Sequence, residues 1–205
     1  ATQRYIRARP GGDGIVDIGT YHNGAWQVAL GTGTGFSSTG SFALSGWGSS
    51  PTTTQPVTGD FNGDGLTDIG LVTVASAQID VRLSTGTTWT TPTAWIPTPY
   101  FTGKNVSTAD VNGDGLTDVV YYENANGRVY WTRSTGAKFA DIADLPPIFG
   151  YRDTADPPQV GAFNGDGLAD PTIFNPATGL MEVARSQGPY PDVLIAVTNG
   201  LGGLL

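Results

Sequence analysis

The chain has 205 residues, 39% hydrophobic and 14% charged, with 30 Gly, 14 Pro and no Cys. Its formal net charge is −8, with only 10 Lys and Arg in total. This is the profile of a turn-rich globular β protein; it excludes disulfides and thiolate metal sites and lacks the basic patch that nucleic acid or an anionic membrane would require.

The first recurring element is a degenerate loop, Arg9-Pro-Gly-Gly-Asp-Gly-Ile-Val-Asp17, followed by an apolar strand over 18–21. An Asn23-Gly24 turn, a strand over 26–30 and a small-residue turn closed by Phe36 complete the unit. Asn-Gly tolerates the positive φ of a two-residue hairpin. The second unit repeats the order: Asp60-Phe-Asn-Gly-Asp-Gly-Leu-Thr-Asp68, strands over 69–74 and 79–83, and a closing Trp89. The third has Asp110-Val-Asn-Gly-Asp-Gly-Leu-Thr-Asp118, strands over 119–122 and 129–133 about Asn126-Gly127, and Phe139. The fourth has Ala162-Phe-Asn-Gly-Asp-Gly-Leu-Ala-Asp170, strands over 172–174 and 181–185 about Thr178-Gly179, and Tyr190. A weaker strand leads from each closing aromatic into the next loop.

The last Asp of each loop stands at 17, 68, 118 and 170, at intervals of 51, 50 and 52. No segment carries a helical period, so the chain reads as all-β. Four-stranded units at this period indicate a β-propeller of four tandem blades in one domain, 1–205, with repeats at about 1–50, 51–100, 101–152 and 153–205. Two arrangements remain open: a closed four-bladed ring, or an arc completed by another copy or by further blades.

The loop Asp-x-Asn-x-Asp-Gly-x-x-Asp suits a hard cation. Oxygen side chains at its first, third and fifth positions converge as the chain curls, the sixth-position Gly permits the turn, the seventh offers a carbonyl and the ninth a carboxylate. An all-oxygen set selects Ca²⁺ over transition metals, and an all-protein cage suits Ca²⁺ better than Mg²⁺. Ten of the sixteen Asp lie in the four loops, a crowding that costs free energy unless a cation offsets it. The expected ligands are Asp60, Asn62, Asp64, Leu66 and Asp68, and Asp110, Asn112, Asp114, Leu116 and Asp118. Asn164, Asp166, Leu168 and Asp170 remain at the fourth loop after loss of the first carboxylate to Ala162, and whether they hold calcium stays open. The first loop, with Arg9 in place of a carboxylate, is expected to hold none and to pair Arg9 with Asp13 or Asp17. An EF-hand is excluded, because no Glu stands at the twelfth position and the flanks read as strands.

These loops and their strand flanks resemble the FG-GAP/VCBS repeat family over essentially the whole chain. The resemblance implies a propeller with calcium in the loop between the first two strands of each blade. Residues 191–203 resemble the segment that follows such repeats in toxin-complex B subunits and Rhs-type bacterial proteins, which implies a propeller excised from a larger secreted or surface polypeptide. The expected role is a calcium-stabilised scaffold docking a protein partner or a neighbouring domain of the same polypeptide, with self-association open. The alternative is a carbohydrate-binding lectin. For that role Trp47 and Trp95, in the less regular segments, are the expected exposed platforms, whereas Trp89 and Trp131 occupy recurring positions that read as core. An enzyme is not expected. The single histidine, His22, adjoins a turn, the two Glu, Glu123 and Glu182, flank turns or lie in strands, the Asp outside the loops show no pairing, and a glycosidase needs two carboxylates across a bond. No apolar run is long enough to span a bilayer as a helix.

Overall fold

The computed structural model describes residues 4–38, 42–48, 53–73, 75–76, 78–96, 106–123, 128–140, 149–150, 159–175 and 179–187. Among these residues it has fifteen strands. The first sheet holds β1 (Arg4–Ala8), β2 (Asp17–His22), β3 (Ala25–Gly31) and β4 (Phe36–Ser38) in that order. The second holds β5 (Thr54–Gly59), β6 (Asp68–Thr73), β7 (Gln78–Arg82) and β8 (Thr93–Ile96). The third holds β9 (Val106–Ala109), β10 (Asp118–Glu123), β11 (Arg128–Thr132) and β12 (Phe149–Gly150). The fourth has β13 (Gln159–Gly161), β14 (Asp170–Asn175) and β15 (Leu180–Val183). All pairings are antiparallel.

Local chemistry explains the connections. Asn23 (φ 48°) and Gly24 (φ 81°) both take left-handed backbone, the requirement of the tight hairpin between β2 and β3. Each Asp-Gly loop joins the first strand of its sheet to the second, and its ninth residue opens that second strand. The sequence reading placed one weak strand between a closing aromatic and the next loop, but the structure has two. β8 pairs back onto β7 and ends the second sheet, whereas β9 begins the third. Both are short, and β9 (Val-Ser-Thr-Ala) carries a single large apolar side chain, which leaves little alternation to read.

The sheets stack face to face with a hydrophobic layer at each junction. Tyr21, Trp26, Val28, Phe42 and Trp47 of the first unit meet Ile69, Leu71 and Trp89 of the second. Val57, Phe61, Val72, Ile79, Val81, Trp95 and Ile96 then meet Val106, Val119, Tyr121 and Phe139 of the third. Val111, Val120 and Val129, with Trp131, meet Val160 of the fourth. A strand between two layers must be apolar on both sides, and β6 is buried from Asp68 through Val72. β2, in the first sheet, alternates instead, with Asp17, Gly19 and Tyr21 buried and Ile18 and His22 exposed. First strands adjoin in sequence, β1 with β5, β5 with β9 and β9 with β13. No comparable junction brings β13 back to β1 among the described residues.

The loops reinforce these junctions. The eighth-position amide of each loop donates to the first-position carbonyl of the loop before it: Thr67 to Arg9 (3.4 Å), Thr117 to Asp60 (2.7 Å) and Ala169 to Asp110 (3.1 Å). The Ser84 and Ser134 hydroxyls donate to the second-position carbonyls of Pro10 (2.8 Å) and Phe61 (2.6 Å) on the preceding loop. Leu66 lies where a Cβ on Gly12 would point, 2.6 Å away, and Leu116 does the same at Gly63. Any side chain on Gly59 would run into Thr117 of the next loop. The four loops therefore form one continuous row along a rim of the molecule.

Candidate metal centre

In the second loop, Gly63 (φ 79°) and Gly65 (φ 84°) take the left-handed turns that curl the backbone around the Asp60 carboxylate. Asp60 Oδ1 accepts the amides of Gly63 (2.7 Å) and Asp64 (3.1 Å), and Oδ2 accepts that of Gly65 (2.8 Å). Asn62 Oδ1 accepts the Asp64 amide at 3.2 Å, while its Nδ2 donates to Asp64 Oδ2 at 2.9 Å. Asp64 Oδ1 accepts the Leu66 amide at 2.8 Å. The third loop repeats five of these six bonds through Asp110, Asn112, Asp114 and Leu116. The fourth keeps the Asn164–Asp166 and Asp166–Leu168 bonds, and Ala162 removes the carboxylate around which the other loops close.

The ninth-position carboxylates sit elsewhere. Asp68 is fully buried; Oδ2 accepts the Phe61 amide (3.0 Å) and Oδ1 the Ser84 amide (2.8 Å) across the sheet. Asp118 does the same with Val111 (3.1 Å) and Ser134 (2.8 Å), and Asp170 with Phe163 (3.0 Å) and Ser186 (2.8 Å). Asp17 follows even in the degenerate loop, accepting Gly31 at 2.8 Å. Its other oxygen reaches Gly11 at 3.3 Å, because the second position is Pro10 and has no amide hydrogen. With both Asp17 oxygens on amides and Asp13 capping Ile15, the expected Arg9 ion pair is not made among the described residues.

Burial raises the Asp68 and Asp118 carboxyls to about 7. The two amide hydrogen bonds on each oppose that rise, and the neighbouring carboxylates, Asp64 and Asp60 or Asp114 and Asp110, add to it. The folded state thus holds more protons than the unfolded chain between about pH 4 and 7, and stability contributed by these groups falls as pH rises through that window. In chelator the melting temperature should therefore be higher at pH 5.5 than at pH 8, measured by circular dichroism. The reverse order would show that these carboxylates ionise freely in the fold.

The donor chemistry fits a hard cation, since each complete loop offers three carboxylates, an amide oxygen and a carbonyl, and the carboxylates act on one another's charge. A carboxylate has about four lone-pair sites, so Asp64 retains two beyond the two bonds described and Asp60 one. Among the described residues no group of three or more His, Cys, Asp or Glu is gathered as an ion-holding cluster. The first- and fifth-position carboxylates of the complete loops instead accept amides of their own loop, and each ninth-position carboxylate accepts one loop amide and one from beyond the loop.

The predicted sugar platforms are not exposed, which corrects the sequence reading. Trp47 is buried, its ring tilted against Trp26 (5.8 Å between centroids) with the Arg82 guanidinium 4.9 Å above its ring. Trp95 is buried between Phe61 (6.1 Å) and Phe139 (5.4 Å). Their segments are irregular because they fold over the sheet junctions, and irregularity was a poor guide to exposure. Trp89 is core as expected, its Nε1 donating to Phe42 O at 2.9 Å. Trp131, expected to be buried, is only partly so and walls a cleft of about 230 Å³ with Val111, Pro171, Ala184, Arg185 and Gln187.

The repeat geometry now meets an independent comparison. A family model for the FG-GAP-like repeat matches in three tandem copies, over residues 12–71, 60–121 and 110–170. The chain belongs to the FG-GAP-like repeat family. No curated protein sequence matches it. Among solved structures it is similar to an Agrocybe aegerita lectin described as recognising non-reducing terminal N-acetylglucosamine, with a TM-score of 0.65 and 20% identity over 91% of this chain and 50% of that one. It is also similar to the V. cholerae biofilm matrix protein Bap1, with a TM-score of 0.36 and 18% identity over 88% of this chain and 30% of that one. The chain thus spans about half the length of the lectin. Residues 191–203, with their toxin-complex or Rhs resemblance, lie outside the described residues, and no comparison supports that origin.

Proposed function

We propose that this FG-GAP-like chain is a calcium-stabilised β-propeller module, each sheet a blade, serving as a non-catalytic scaffold or protein-interaction surface within a larger secreted or surface polypeptide. The observation that carries the reading is the placement of two complete oxygen-rich loops, 60–68 and 110–118, in the row that joins successive sheets. Asp60, Asn62, Asp64, the Leu66 carbonyl and Asp68 would hold one ion, and Asp110, Asn112, Asp114, the Leu116 carbonyl and Asp118 another. Calcium there supplies charge neutralisation to clustered carboxylates and so rigidifies the loops that link neighbouring blades.

The test is thermal unfolding in calcium against chelator, for the native chain and for Asp64→Ala combined with Asp114→Ala. At about a hundredfold excess over Kd, each bound ion adds about 2.7 kcal/mol, roughly 5–10 °C for a domain of this size. The double variant should lose that rise. A native chain that melts identically in calcium and chelator would overturn the reading.

Glycan binding is the second reading, favoured by the cleft between the third and fourth sheets. A partly exposed indole beside the exposed Arg185 and Gln187 can stack on a sugar ring and bond its hydroxyls. The fold likeness to the N-acetylglucosamine-recognising lectin agrees with it.

A further inference from the structure

The sheet junction has a direction. At each internal junction the trailing face of one sheet, built from the loop's second position and alternate residues of the next two strands, receives the leading face of the following sheet. The second sheet's trailing face offers Phe61, Val72, Ile79 and Val81, all at the centre of a buried layer. The same register positions in the fourth sheet are Phe163, Phe174, Met181 and Val183, and all four are exposed; Phe163 is 54% accessible where Phe61 is 0%. On the leading side, Ile18 is 39% accessible against 3% for Ile69, and Phe36 is 56% accessible against 3% for Phe139. Gly165, the counterpart of Gly12 and Gly63, has nothing within 4 Å of an added Cβ, where those two meet the leucine of the following loop. Among the described residues the fourth sheet thus presents an uncovered trailing face and the first sheet an uncovered leading face.

These two faces are complementary by construction, because the chain builds their union three times internally. We propose that a second copy of this chain covers them, head to tail, its first sheet docking on the fourth sheet of its neighbour. The junction would seat Phe36 and Ile18 of one copy against Phe163, Met181 and Val183 of the other, with Ile15 toward Gly165 as Leu66 lies toward Gly12. It would lack the serine hydroxyl bond of the first two internal junctions, since Gly31 stands in the register of Ser84 and Ser134. Such an interface is heterologous: it closes on itself after two copies if the rotation allows, and otherwise continues as a filament. Exposed apolar patches of this kind mark association surfaces. The inference goes beyond the calcium reading and does not depend on it.

The experiment is mass determination by sedimentation or light scattering, in chelator, across a wide range of concentrations. The native chain should rise from 21.3 kDa to twice that mass or a higher multiple. Phe36→Glu and Phe163→Glu should each block growth alone, and mixing them should restore a 1:1 complex, because each retains the face the other has lost. Ile18→Lys and Met181→Lys repeat the pair at separate positions, so a folding failure in either set leaves the other decisive. A chain monomeric at every concentration overturns the proposal, as does a dimer that the two variants fail to reconstitute, which would be face-to-same-face.

Discussion

Phe61→Ala is expected to lower the unfolding free energy by about 3–5 kcal/mol, the usual cost of deleting a fully buried aromatic ring. Phe163→Ala, at the same position of the repeat, is expected to change it by less than about 0.5 kcal/mol in dilute, monomeric protein. The contrast is physical rather than chemical. Phe61 lies at the second junction, its ring 5.6 Å from Phe139 and 6.1 Å from Trp95, so truncation opens a cavity that the two remaining rigid rings cannot collapse into. Phe163 occupies the same loop slot on the fourth sheet, where no core layer forms over it among the described residues, and its truncation removes a ring already half exposed. Urea denaturation of the two variants measures the difference directly. Equal losses would mean that the fourth sheet is covered in the monomer, and the open-faced description of the fold would fail. A Phe163→Ala cost that appears only at high concentration would add independent support to head-to-tail association, since stability then becomes linked to assembly.

Most of the architecture was legible because the repeat is written at the level of chemistry. Asp, Asn and Gly at fixed offsets mark the loop, and the Asp at 17, 68, 118 and 170 opens the second strand of every sheet. The strands after each loop are rich in β-branched and aromatic residues, so 69–74, 79–83 and 129–133 were readable within one or two residues of β6, β7 and β11. What escaped was anything decided between units. Nothing in the sequence of Trp47 or Trp95 says that the sheet junctions cover them, and both were placed on the surface. The serine hydroxyls illustrate the same gap: Ser84-Thr85-Gly86 and Ser134-Thr135-Gly136 recur in register, but a hydroxyl bound to a carbonyl more than seventy residues away shows only when sheets are stacked. The repeat also concealed a difference of role. Asp68, Asp118 and Asp170 read as ligands and Asp17 as an ion-pair partner for Arg9, whereas the structure gives all four a task that needs no metal.

That task yields the sharper test. Asp118→Ala should cost about 2–4 kcal/mol with calcium absent, because it strands two buried amides, those of Val111 and Ser134, each of which bonds a carboxylate oxygen. Hydrogen bonds to a charged group are worth about 1.5–3 kcal/mol each, and relief of the desolvation that raises the Asp118 carboxyl to about 7 offsets part of the sum. Asp118→Asn should recover some of the loss, since one oxygen still accepts while its amide nitrogen faces a second N–H. The decisive partner is Asp17→Ala. The first loop has Arg9 and Gly11 where the complete loops have Asp and Asn, so a role in metal binding predicts no effect there. A role in fastening the loop to the third strand predicts a loss approaching that of Asp118→Ala, somewhat smaller because Gly11 lies at 3.3 Å rather than 3.1 Å. Both variants are measured in chelator, where calcium cannot contribute, and Asp118→Ala is measured again in excess calcium. If Asp17→Ala is silent and Asp118→Ala matters only when calcium is present, the ninth position is a ligand first. If both are costly in chelator, the repeat has kept this carboxylate for the fold, and the metal draws on a residue whose first partners are backbone amides.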